Sequence, residues 1–169
     1  CIGSAFTLEG GTFFIQTGSD TAGQTKNRGR RSMIGILIVT HCQLGNALID
    51  AAEIITGETL ENTIPLSIDL NESADGLRKK IARGIKNVEM EEGVLILTDM
   101  FGGTPSNLSY SFLEEGQVEV ISGVNLPILI KALNTRSKME LGDLAASLEK
   151  FGKKSISLAS GILKGNKRS

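Results

Sequence analysis

The sequence predicts an α/β fold: an open, doubly wound, mostly parallel sheet of strand order 2-1-3-4 with helices on both faces. Three observations carry this. Short, continuous apolar runs occur at Met33–Val39 and Gly93–Thr98, the pattern of strands buried on both faces. Each run is followed by a stretch of helical period. Strands that alternate with helices build a parallel sheet with right-handed crossovers.

The elements follow in order. Met33–Val39 is the first strand. Leu44 to Ile55 has helical period, with Leu44, Leu48, Ile49, Ala52 and Ile55 on one stripe and Gly57 where a helix stop belongs. Ile64–Ile68 is a weaker strand, and Pro65 places it at a sheet edge. Ser73 to Met90 is a second helix, with Leu77, Ile81, Ile85 and Val88 inward. Its cations Arg78, Lys79, Lys80, Arg83 and Lys86 form a solvated outer face. After the Gly93–Thr98 strand, Thr104 reads as an N-cap with Pro105 at the first helical position, opening a helix to about Glu115. Gln117–Ser122 is a fourth strand and Leu126–Asn134 a helix. Leu141, Leu144, Ala145, Leu148, Phe151, Ser155, Ala159 and Ile162 continue one helical stripe despite Gly152.

Two segments are expected. Residues 1–32 form a flexible extension, since Thr17–Ser32 has no apolar residue beyond one Ala to offset its ordering entropy. Phe6 to Ile15 could turn as a short hairpin around Gly10-Gly11. Lys26, Arg28, Arg30 and Arg31 read as a solvated cluster of that tail, not a native docking patch. Residues 33–169 form the folded domain. Removing the tail's four cations and two acids from 18 and 19 leaves 14 and 17, a net charge of −3.

Composition excludes several classes. With that charge the domain is not a broad nucleic-acid binder. Aromatic residues are 4% and Trp is absent, so platforms for bases or a flavin are scarce. No apolar run approaches the roughly 20 residues that span a bilayer, so no direct membrane insertion is expected. Two Cys cannot build a disulfide framework, and no signal peptide is evident. Both point to the cytoplasm.

In an open parallel sheet, ligands bind beyond the carboxyl ends of the strands, where strand order reverses. For the order 2-1-3-4 that point lies between strands 1 and 3. The loops after Val39 and Thr98 should therefore share a cleft. The first holds His41, the only His in the chain; the second begins with Asp99. A carboxylate that takes one ring proton fixes the tautomer and leaves the other nitrogen free to attack. The surroundings favour a phosphoryl group as target. Helix starts near Leu44 and Pro105 offer backbone N–H groups. Gly102 and Gly103 let the backbone approach an oxyanion, and Thr104 and Ser106 add hydroxyls. No Walker A pattern is present, so a phosphoprotein is a better donor than a nucleotide. Cys42 reads as a buried structural thiol. His41, Cys42 and Asp99 fall one ligand short of a closed zinc site. No metal and no cofactor are expected.

Three segments then carry a family resemblance: Met33-Ile-Gly-Ile-Leu-Ile-Val-Thr-His41, Leu97-Thr-Asp-Met-Phe-Gly-Gly-Thr-Pro-Ser-Asn107 and Ser122-Gly-Val-Asn-Leu-Pro127. From Met33 to about Leu163 the chain resembles the mannose-family IIA component of the bacterial phosphoenolpyruvate:sugar phosphotransferase system. The resemblance implies that His41 accepts phosphate from the phosphocarrier HPr and passes it to a IIB component. It further implies that Asp99 bonds that His, that Gly102, Gly103 and Thr104 help hold the phosphate, and that the protein is a homodimer. Because no IIB domain follows in this sequence, a separate acceptor is implied. Cys42 stands where the family often has Gly or Ser. Competing readings are a regulatory phosphorylation sensor without a dedicated sugar permease, the phosphodonor subunit of dihydroxyacetone kinase, and a flavodoxin-like small-molecule module. Phe101-Gly-Gly-Thr-Pro105 differs from the usual turn of the second. The third lacks a Ser/Thr-rich phosphate cradle after strand 1.

Overall fold

A computed structural model describes residues 33–69, 71–88 and 91–163. The expected extension 1–32, with its hairpin and basic cluster, lies outside them. Four parallel strands form one sheet: β1 (Gly35–His41), β2 (Thr63–Ile68), β3 (Val94–Thr98) and β4 (Val118–Ser122), in the order β2-β1-β3-β4. The helices are α1 (Leu44–Thr56), α2 (Ala74–Val88), α3 (Thr104–Ser109), α4 (Leu126–Thr135), α5 (Leu141–Ser155) and α6 (Ala159–Leu163). A 3-10 turn, Tyr110–Phe112, follows α3.

The two-residue strand period sorts the core into two layers. Ile36, Ile38, Leu95 and Leu97 face Ala52 of α1, Ile128, Leu129 and Ala132 of α4, and Leu144 and Leu148 of α5. Leu37, Val39, Val94 and Ile96 face Leu77 and Ile81 of α2 and Leu108 of α3. Burying each such side chain contributes roughly 1.5–3 kcal/mol, and β1 and β3, lined on both faces, form the centre of the sheet. Pro65 lies on β2, at an edge as expected, because its missing N–H would leave a gap in an inner ladder. Gly57 closes α1 in the left-handed region at φ 71°, its N–H donating to Glu53 O. Asn125 caps α4, its Oδ1 accepting the Ile128 N–H at 2.9 Å.

At the opposite end of the sheet from the site, the Arg136 guanidinium is buried. It donates to the carbonyls of Glu61, Asn62 and Ile34 and to Thr63 Oγ1. Burial pulls its pKa below the usual value, opposed by Glu61.

Several boundaries differ from the sequence expectations. β1 begins two residues later and runs to His41, so the imidazole sits on the strand's last residue and not in the following loop. Leu44 and Ile55 are exposed, and α1 packs through Gly45 and Ala52, with Leu48 and Ile49 partly buried. Gly103, in extended conformation, takes the N-cap position expected for Thr104, with Thr104 and Pro105 inside the helix. That helix ends at Ser109 and tightens into the 3-10 turn instead of reaching Glu115. The last stripe breaks after Ser155: Ile156 turns extended, and helix resumes only at Ala159. Phe151, expected inward, is exposed.

Candidate phosphoryl-transfer site

β1 and β3 pair in register up to Val39 and Thr98. One residue beyond Thr98 is Asp99, and two beyond Val39 is His41, so the sheet itself delivers both to one end. The strand period turns Thr40 toward α1, where its buried Oγ1 accepts the Gly45 N–H at 2.9 Å. His41 falls on the other face, beside the β3–α3 loop. The ladder is prolonged by a side chain: the His41 backbone N–H donates to Asp99 Oδ2 at 2.8 Å. The same oxygen lies 2.7 Å from His41 Nδ1. Asp99 Oδ1 accepts the Met100 N–H at 2.9 Å.

These contacts set the charge of the pair. Burial acts to raise the Asp99 carboxyl, but the His41 backbone N–H, the His41 ring and the Met100 N–H outweigh it and hold the pKa below the usual carboxylate value. At neutral pH the group is a carboxylate, which only accepts. The close Nδ1 therefore carries the ring proton, and Nε2 keeps its lone pair. The Asp99 side chain is 11% exposed and that of His41 32%, so the acceptor is sheltered and the ring is reachable from outside.

Gly103 lies against the ring. A Cβ placed on it would come 3.3 Å from His41 Cε1 and 3.1 Å from Met100 Cγ. Gly102 has φ 78°, a conformation that glycine adopts without steric cost. Ser106, expected as a free hydroxyl, is buried and donates to Gly103 O at 3.0 Å. Asn107 Nδ2 donates to Gly102 O at 3.2 Å. Cys42, expected buried, is exposed at φ 49°, because the strand ends one residue earlier and the chain turns outward there.

Two features were not anticipated from the sequence. Met100 and Phe101, 54% and 79% exposed, are apolar side chains left outside the core on the loop that follows Asp99. Phe101 is braced by Tyr110, with ring centroids 6.3 Å apart. Tyr110 Oη and Ser122 Oγ are 2.9 Å apart, and Ser122 Oγ accepts from Thr98 Oγ1. The signal was present, since Met-Phe directly follows the Asp, but apolar periodicity has no rule for side chains left outside. The second is charge: the loops 42–46, 99–107 and 123–125, which leave β1, β3 and β4 at this end of the sheet, contain no Lys or Arg. Cations reach this end on the last turn of α5, with Lys153 and Lys154, where Asn125 Nδ2 donates to Ser155 Oγ at 3.4 Å.

Among the described residues no helix is long and apolar enough to cross a membrane. The family model described as PTS system fructose IIA component matches residues 35–149. The chain is 35% identical over 129 residues to the PTS system fructose-specific EIIA component of Bacillus subtilis (strain 168), covering 76% of this chain and 88% of the relative. It is 34% identical over 128 residues to the PTS system mannose-specific EIIAB component of Escherichia coli (strain K12), covering 73% of this chain and 39% of that longer protein. Among solved structures it is similar to phosphotransferase system component EIIA from Streptococcus agalactiae, with a TM-score of 0.67 and 27% identity over 76% of this chain and 98% of that one. The matched residues 35–149 of this chain include the strands, the His41–Asp99 pair and the glycine turn, and the chain belongs to the mannose/fructose IIA family of the sugar phosphotransferase system.

Proposed function

We propose that this protein is a phosphohistidine carrier, taking a phosphoryl group from a phospho-HPr-type protein onto His41 Nε2 and giving it to a IIB component. The observation that carries this reading is the 2.7 Å contact between His41 Nδ1 and the ionised Asp99, on a ring still open to a partner. The Nε2 lone pair forms a bond to phosphorus as the donor's own P–N bond breaks, and the electron pair of that bond leaves with the donor imidazole. Nδ1 keeps its proton throughout. Asp99 stabilises the positive charge that the ring gains. Gly102, Gly103 and Thr104 present backbone N–H groups to the phosphoryl oxygens, an arrangement that favours the charge developing in transfer. Transfer to IIB is the same displacement reversed, between two phosphohistidines, so neither direction is strongly downhill.

Both partners are proteins, and the reaction is placed in the cytoplasm. The reading includes a homodimer. It is supported by β4 lying at the margin of the sheet and by Ile156, in extended conformation, and Leu158, 81% and 75% exposed. A sheet margin paired only at Val118, with Glu114, and exposed apolar side chains are what a second copy would cover.

Incubation with phosphoenolpyruvate, Enzyme I and HPr tests the carrier role. The expected result is an acid-labile mass gain of one phosphate in the wild type and none in His41→Ala. Equal labelling of His41→Ala would refute it.

A further inference from the structure

Resting on that reading, we infer that Asn107 is a positioning residue: it holds the Gly102 and Gly103 carbonyls so that the next two backbone N–H groups turn toward the phosphoryl group on His41. Gly102 lies in the left-handed region, and a Cβ placed on it would have nothing within 4 Å. Packing therefore does not fix its peptide. The Asn107 side chain does, through Nδ2 donating to Gly102 O at 3.2 Å. The backbone N–H of the same residue donates to Gly103 O at 3.0 Å, an oxygen that also accepts from Ser106 Oγ. Both glycine carbonyls are thus drawn toward residues 106 and 107.

The described peptide bonds are trans, and in a trans unit the N–H points opposite to the C=O. The Gly103 N–H, which shares a peptide with Gly102 O, and the Thr104 N–H, which shares one with Gly103 O, are turned the other way. Neither has a hydrogen-bond acceptor among the described residues. Gly103 is also the residue that lies against His41 Cε1, the ring carbon between the two nitrogens. Asn107 is exposed and belongs to neither core layer. A carboxamide that grips a loop carbonyl next to a reacting nitrogen, from outside the core, has its main consequence in that loop.

The test uses potassium phosphoramidate, a small donor that removes partner docking from the measurement. Its P–N bond breaks with loss of ammonia as the bond to Nε2 forms. Wild type, His41→Ala, Asn107→Ala and Asn107→Asp are compared at saturating donor, with Tm recorded for each. The aspartate is nearly the same size but, ionised, cannot donate to Gly102 O. Wild type should label and His41→Ala should not. Asn107→Ala should label about tenfold more slowly, the effect of roughly one lost hydrogen bond, and Asn107→Asp more slowly still, with little change in Tm. In 15N-labelled protein, the downfield displacement of the Gly103 and Thr104 amide protons on phosphorylation should shrink in both variants. Wild-type rates and amide displacements in both would overturn the inference and leave the carrier reading standing. Failure of both variants to fold would also overturn it, making Asn107 a structural residue. No labelling of the wild type by phosphoramidate would overturn this inference alone, while equal labelling of His41→Ala would refute the carrier reading and this inference with it.

Discussion

Replacing Asp99 by Asn removes one charge and almost no volume, and the consequence can be worked from three hydrogen bonds. The carboxylate accepts from the His41 N–H and lies against His41 Nδ1 at one oxygen, and it accepts the Met100 N–H at the other. A carboxamide has one acceptor oxygen and one NH2 group. With its oxygen toward His41, the NH2 opposes the Met100 N–H. Flipped, it satisfies Met100 but sets the NH2 against the His41 N–H and Nδ1, and the ring can answer only by moving its proton to Nε2. The first orientation sets an NH2 group against the exposed Met100 N–H, which solvent can satisfy at a cost below that of a buried unpaired donor. The second consumes the lone pair that must attack phosphorus. Neither supplies a negative charge beside the phosphorylated ring. Labelling by phospho-HPr should fall by about 10²- to 10⁴-fold, the range spanned by a lost orienting bond and a wrong tautomer. The assay is the initial rate of phosphate mass gain, with the His41 tautomer read by long-range 15N–1H correlation. A rate within about threefold of wild type, with the Nδ1-protonated ring unchanged, would refute the orienting role of Asp99.

Gly103→Ala places a methyl group 3.3 Å from His41 Cε1 and 3.1 Å from Met100 Cγ. The ring must shift, and labelling should drop about tenfold, with a small change in Tm by calorimetry. Arg136→Met removes the guanidinium donor from the Ile34, Glu61 and Asn62 carbonyls, of which Asn62 O keeps the Ile36 N–H and Glu61 O keeps the Thr63 hydroxyl. The loss of stability should be roughly 2–4 kcal/mol in a urea titration, with labelling of the folded fraction unaltered. Because the folded pKa of Asp99 is depressed, its stabilising contribution is complete above the unfolded value and disappears as pH falls through the folded one. The stability gap between wild type and Asp99→Asn should therefore shrink between about pH 5 and pH 3, and a gap that widens on acidification would contradict the assigned shift.

The parts legible in the sequence are those set by apolar period and by topology. Two β-branched runs located β1 and β3, Pro65 located an edge strand, and the switch-point rule brought His41 and Asp99 together before any coordinate was known. What escaped is governed by short-range geometry. β1 extends to His41 because β2 pairs with it that far, His41 lying opposite Ile68, while on the β3 side the Asp99 side chain accepts the His41 N–H, and no propensity encodes either. Cys42 looked like core by residue type, yet it occupies an outward turn whose φ depends on where the strand stops. Gly103 displaced Thr104 as cap because the glycine carbonyl takes both Ser106 Oγ and the Asn107 N–H. The exposure of Leu44 and Phe101 at the site end, and of Ile55 at the far end of α1, reflects surface that no other element covers, which periodicity cannot distinguish from burial.

Both members of the pair hang from the two inner strands, which are hydrogen-bonded directly to each other and flanked on either side. Fraying that starts at a flank would reach them last. Amide exchange should be slowest along these two strands, and a population with loosened margins would still carry a usable imidazole. Competence for labelling would then vanish with the global unfolding event and not before it, making the chemical readout a gauge of whole-domain integrity.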